Sequence, residues 1–183
     1  MSVVTIIMVV STISITIPNI TDAFAQDDIN QSSTLTNQTN STVEQSQSMQ
    51  FIANLSSQTV VPIVDETNAR GEAGFNVNPQ IDTIDYIIAT YDIDQVLSAT
   101  MHLGTPGVNG PVIVYLYRAD SPTGHIDGLL AKETITANEL DGPLNGKTIK
   151  DLVAAMSNEN IYVTVNTAPY PNGEIRGQIE KID

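Results

Sequence analysis

The sequence predicts an all-β domain, a Greek-key-like sandwich or barrel with one short helix, carried behind a signal segment and a disordered tether. Three observations predict it. From about residue 50 onward the chain is a series of short β-branched segments bounded by Gly, Pro and Asn. Only one stretch of that region has sustained helical spacing. Before it lie an apolar run and then a predominantly polar one.

Residues 1–25 read as the signal segment. Val3 to Ile17 is apolar or hydroxylic throughout, and Pro18-Asn19 ends it. A membrane span needs about 20 apolar residues, so the run fits a signal-peptide core better. Ala23-Phe24-Ala25 supplies the small residues of a cleavage site, which places the cut after Ala25. No Lys or Arg precedes the run, so the alternative is a segment retained as an anchor, the only membrane contact expected of the chain. Residues 26–49 are dominated by Ser, Thr, Asn and Gln. Such a stretch cannot bury enough surface to offset its ordering entropy, and is expected to be a disordered linker. Glycan acceptor patterns start at Asn30, Asn37, Asn40 and Asn54.

Residues 50–183 form the predicted β domain. Expected strands are Phe51 to Leu55, Glu72 to Val77, Ile81 to Tyr91, Val96 to Leu103, Pro111 to Tyr117, Leu129 to Ile135, Ile161 to Thr167 and Gly173 to Ile182. Asn172-Gly173 predicts a type I′ hairpin between the last two. Ile149, Leu152, Val153 and Met156 share one helical face, so Thr148 to Met156 is the predicted helix, packed across an open end of the sheets. A second short helical piece is expected to start at Thr136.

The charge balance narrows the partners. Seven basic residues face 21 acidic ones, a net of −14. Phosphate binding needs concentrated Lys and Arg, so nucleic acid is not an expected partner. There are no cysteines, which excludes disulfides, thiolate catalysis and Cys-based zinc sites. Asp92, Asp94, Asp120 and Asp127 are the best oxygen ligands for calcium, although no calcium-loop spacing accompanies them. No nucleophile elbow, phosphate loop or zinc-protease pattern is present. No catalytic residue or cofactor is therefore assigned.

Five motifs stand out: Phe51 to Leu55 followed by Val61-Pro62; Ala69-x-Gly71-x-Ala73-x-Phe75; Ala99-x-Met101-His102-Leu103-Gly104; Gly107-Val108-Asn109-Gly110-Pro111-Val112; and Tyr162-Val163 through Tyr170-Pro171-Asn172-Gly173-Glu174-Ile175-Arg176-Gly177-Gln178-Ile179. Together these segments resemble the CHRD domain, a module named after chordin. The resemblance covers essentially all of residues 50–183 and implies an extracellular or cell-surface β domain. It departs from the family at two places. Thr100 stands where the family usually has the first His of His-x-His, and Asn166 where it usually has His before Thr. An intact His-x-His is also faintly similar to the copper-binding strand of Cu/Zn superoxide dismutase. Two His at i and i+2 share a strand face and can share a metal. This chain keeps only His102.

The expected function is an exported, non-enzymatic binding or structural module at the cell surface or in the matrix. Its partner would be an extracellular protein, a glycan or an envelope component. His102, Asn166, Glu174 and Arg176 are the candidate binding residues, with Glu174 and Arg176 on one strand face as an expected ion pair. The alternative is a metal-dependent extracellular enzyme, dismutase-like or hydrolytic, using His102.

Overall fold

A computed structural model of the chain describes residues 48–182. The signal segment, residues 26–47 of the expected linker, and Asn30, Asn37 and Asn40 lie outside the described residues; Met49, expected in the linker, opens the first strand. Among those described, nine strands follow in order: β1 (Met49–Ser56), β2 (Arg70–Val77), β3 (Ile84–Ile93), β4 (Val96–Leu103), β5 (Val112–Arg118), β6 (Ile126–Ile135), β7 (Ile161–Thr167), β8 (Ile175–Gln178) and β9 (Glu180–Lys181). One α-helix, α1 (Ile149–Ser157), lies between β6 and β7. Among the described residues no helix is long and apolar enough to cross a membrane.

All strands belong to one antiparallel sheet with the order β5-β4-β7-β8-β1-β2-β3-β6, and β9 adds to β1. The two end strands, β5 and β6, approach each other, so the sheet curls into a nearly closed barrel. Read round that seam, β3-β6-β5-β4 is a Greek key. The seam is fastened by other groups than a ladder. The Asp141 amide donates to the Ile113 carbonyl at 2.8 Å, and the Tyr86 hydroxyl of β3 donates to the Leu116 carbonyl of β5. Burial, with the charge of Glu133 added, pushes the Tyr86 phenol up to about 12, so it keeps the proton it donates.

The strand period sets the two faces of this wall. Phe51, Ala53 and Leu55 point inward from β1, and Ala73, Phe75 and Val77 from β2; all are 2% exposed or less and belong to one continuous core. The predicted helix forms as α1. Thr148 caps it, and Asp151 completes a capping box back to the Thr148 amide. Its Ile149, Leu152, Val153 and Met156 enter the same core, with the helix lying beside β9. The second helical piece is a single 3-10 turn, Ala137–Glu139.

Three local expectations are corrected. The third strand begins at Ile84, because Ile81 sits at φ 56° in the turn headed by Asn78. The closing strand is split. β8 pairs with β7, while Glu180-Lys181 pairs with β1, and Ile179 between them is buried. The β7–β8 turn is not type I′, which needs positive φ at both central residues; Gly173 has it (φ 120°) and Asn172 does not. Instead Gly173 donates to the Tyr170 carbonyl at 3.0 Å, closing a turn with Pro171 second.

Candidate functional site

The outer face of β4, β7 and β8 carries a polar layer. Ala99 and Met101 point to the core, so Thr100 and His102 point out. Register sets Thr164 opposite Thr100 and Tyr162 opposite His102, then Arg176 opposite Thr164. On an open sheet these side chains would be exposed. Here Thr100, Tyr162, Thr164 and Arg176 are all buried, because the loop of residues 104–111 folds back over them.

Arg176 holds that loop down. Its Nη1 donates to Asn109 Oδ1 at 3.0 Å, and its Nη2 to the carbonyls of Val108 at 2.9 Å and Thr105 at 3.4 Å. The guanidinium also lies 3.6 Å from the Tyr162 ring centroid. Burial pulls its pKa below the usual value, with Tyr162 opposing. The expected ion pair with Glu174 is absent. Loop acceptors occupy the guanidinium, and Glu174 precedes β8 at the turn. There its buried carboxylate accepts from Thr67 at 2.5 Å and Thr167 at 2.7 Å. Glu174 thus secures the long loop of residues 57–69 while Arg176 secures the shorter one.

His102 is fully engaged. Its Nδ1 lies 2.8 Å from the Gly110 carbonyl, which can only accept, so Nδ1 carries the proton. Nε2 is then an acceptor for the hydroxyls around it, Thr100 at 2.9 Å and Thr164 at 3.1 Å, which lie 3.0 Å from each other; with one proton apiece the two hydroxyls fill two of these three contacts at a time. The ring stacks on Tyr162, with centroids 4.9 Å apart and planes 10° apart. Burial lowers its pKa from 6.5; the Gly110 bond opposes this and the charge of Arg176 adds to it. A group with a depressed histidine pKa takes up fewer protons folded than unfolded. Its contribution to stability is complete above about pH 6.5 and is lost as pH falls toward the folded value. Thermal melts in a pH series are expected to show stability falling below about pH 6.5. An NMR titration that placed the His102 midpoint at or above 6.5 would contradict this.

The other candidate residues lie apart. Asn166 donates to the Pro171 carbonyl at 3.1 Å within its own turn, and its Oδ1 is buried without a partner. It faces Ser98 in the register, so it does not join His102. Asp92 pairs with Arg70, and Asp94 with His125 at 3.3 Å. Asp92 has φ 53°, which breaks the alternation expected to align it with Asp94. Asp120 and Asp127 do not complete a site. Among the described residues no group of three or more His, Asp and Glu is placed to hold a metal ion. Asn54 is exposed in mid-strand.

The two fastened loops carry an apolar surface. Val61, Ile63 and Val108 are 37, 56 and 52% exposed, three of five large apolar side chains so exposed among the described residues. Asn109 Nδ2 donates to the Val61 carbonyl at 2.7 Å, which joins the loops at that surface. Sequence reasoning singled out His102, Glu174 and Arg176 but missed Tyr162, Thr164 and Asn109. The register of β4 against β7 is the signal that would have placed the first two.

The family description of the CHRD domain matches residues 51–179, which takes in β1 through β8, the loop over Arg176 and the Tyr162 strand. No curated protein and no solved structure matches the chain. The chain belongs to the CHRD domain family.

Proposed function

We propose that this chain is an exported, non-enzymatic binding module that holds a protein partner on the apolar surface of its 57–69 and 104–111 loops. The observation that carries this is the pairing of exposed Val61, Ile63 and Val108 with a buried polar layer that fixes the backbone beneath them. Apolar side chains exposed together mark interaction surfaces. Fixing them in advance lowers the ordering cost of binding. Asp65 and Glu66 are exposed on the longer loop, and neither loop has a basic residue. The partner is therefore a protein surface with apolar anchors and a basic rim. Export rests on the apolar segment before Ala23-Phe24-Ala25 and on the family. The enzyme alternative gains nothing from His102, whose two ring nitrogens are already bonded.

The test uses the full-length chain and an Ile63→Asp/Val108→Asp variant as baits on the producing cell's surface fraction, with crosslinking. The expected result is a protein retained by the native chain, lost by the variant, and released progressively by salt. A set of captured proteins that is the same for both baits would overturn the proposal.

A further inference from the structure

The end of β5 borders a cleft of about 350 Å³ that is separate from the loop surface. That volume is at the small end of the range for ligand sites, roughly 300–1,000 Å³. One wall is Tyr115, 40% exposed, with the Arg118 guanidinium 3.4 Å from its ring centroid. The other wall is Asn138, Glu139, Asp141 and Asn145.

The second wall is fixed in place. Buried Leu140 and Leu144 anchor it in the core, and the Asp141 amide ties it to the Ile113 carbonyl at 2.8 Å. Thr136 and Asp141 cap its two 3-10 turns. Thr136 engages Oε2 of Glu139, and Gly142 engages Oδ1 of Asp141. One carboxylate oxygen of each remains outside these bonds. The side-chain amides of Asn138 and Asn145 make no hydrogen bond within the described residues, and Arg118 makes only its contact with Tyr115.

We propose that this cleft binds one or two sugar units of a neutral saccharide. Its lining alternates donors (Arg118, the two amides) with acceptors (Glu139, Asp141, the same amides), the pattern that adjacent hydroxyls satisfy from both sides. The flat Arg118–Tyr115 stack offers a surface for the apolar face of a pyranose ring. An apolar ligand would strip water from these groups and return no bonds. Two carboxylates against one guanidinium, in a chain of net charge −14, disfavour an anion. The cleft is shallow and broadly open to solvent, so affinity is expected on the order of 1 mM.

The experiment is ¹⁵N–¹H NMR of the full-length chain titrated with maltose, cellobiose, lactose, mannobiose and chitobiose, with glucuronate as an anionic control. At least one neutral disaccharide is expected to shift the side-chain amides of Asn138 and Asn145 saturably. Arg118→Ala and Tyr115→Ala are each expected to weaken that binding about tenfold. Should either variant melt at a lower temperature, Asn138→Ala, whose side chain supports nothing else, carries the comparison. No saturable shift at these amides up to roughly 50 mM, tighter binding of glucuronate, or equal binding by the variants would overturn the proposal. Any of those results leaves the protein-partner reading to its own crosslinking test.

Discussion

Arg176→Met is expected to lower the melting temperature by roughly 10 °C, about 3 kcal/mol for a domain of this size. The side chain is 2% exposed, and it donates to three acceptors of the overlying loop. Methionine fills much of the volume but donates nothing, so Asn109 Oδ1 and the Val108 carbonyl lose their donor together, while the Thr105 carbonyl keeps the Val108 amide at 3.0 Å. A hydrogen bond from a charged donor contributes about 1.5–3 kcal/mol, less here because Thr105, Val108 and Asn109 are exposed residues that water can reach once the loop loosens. An opposing effect has to be weighed. Replacing a buried charge by an apolar side chain removes its desolvation cost and sometimes stabilises a protein. Here the acceptors are left behind, so the loss wins. Arg176→Lys is expected to recover little, because one ammonium cannot span the fork that reaches both Asn109 and Val108. Arg176→Met also removes a charge that holds the His102 pKa down, so that pKa rises toward 6.5. Differential scanning calorimetry and an NMR titration of His102 check the two parts. An Arg176→Met protein that melts at or above the native temperature would show that the guanidinium does not organise the loop.

How much of this was legible in the sequence depends on what each feature needs. β4 and β7 were placed at their observed bounds, because Val96–Leu103 runs between Asp94-Gln95 and Gly104, and Ile161–Thr167 is rich in β-branched residues. The α1 face was equally plain from its spacing. The split of the closing strand was not, because it depends on a distant neighbour. A side chain at Gly177 would begin 2.3 Å from the Asn54 carbonyl of β1, so only glycine lets the strand pass there. Nothing between Gly173 and Ile182 encodes that contact. His102, Glu174 and Arg176 stood out as polar residues in apolar strands. Their partners did not, since the acceptors of Arg176 and His102 are mostly backbone carbonyls, which every residue carries. Opposite charge and the two-residue strand spacing suggested a Glu174–Arg176 pair. The loop of residues 104–111 displaced it by bringing closer acceptors to the guanidinium. Tyr162 alternates with the core residues Ile161 and Val163, so the strand period sets it on the outer face; its burial there comes from the overlying loop and could not be read from the strand alone.

Gly110→Ala is expected to be as damaging as the loss of Arg176, for a different reason. A Cβ at residue 110 would start 1.7 Å from the Leu103 carbonyl oxygen and 2.8 Å from its carbon, both backbone atoms of β4. Neither can swing away, so the loop must lift. Three bonds go with it: His102 Nδ1 to the Gly110 carbonyl at 2.8 Å, the Gly110 amide to the Tyr162 hydroxyl at 2.9 Å, and the Leu103 amide to the Pro111 carbonyl at 3.0 Å. At about 1 kcal/mol each, and more where a buried group is stranded, the cost is about 3 kcal/mol or above, again roughly 10 °C. Gly107→Ala is the control. Gly107 lies in the same loop at φ 77°, and a methyl group there would meet nothing within 4 Å, so it carries only backbone strain of about 1–2 kcal/mol. The two variants separate a close approach from a left-handed backbone. Lifting the loop also uncovers His102. Its lowered pKa comes first from burial, so the midpoint is expected to climb in Gly110→Ala and to stay put in Gly107→Ala. Because Val108 rides on the same loop, partner capture should fall in parallel with the rise of that midpoint. A Gly110→Ala chain with native melting and an unmoved His102 midpoint would mean that the loop does not rest on β4 as described, and the surface built on it would lose its footing.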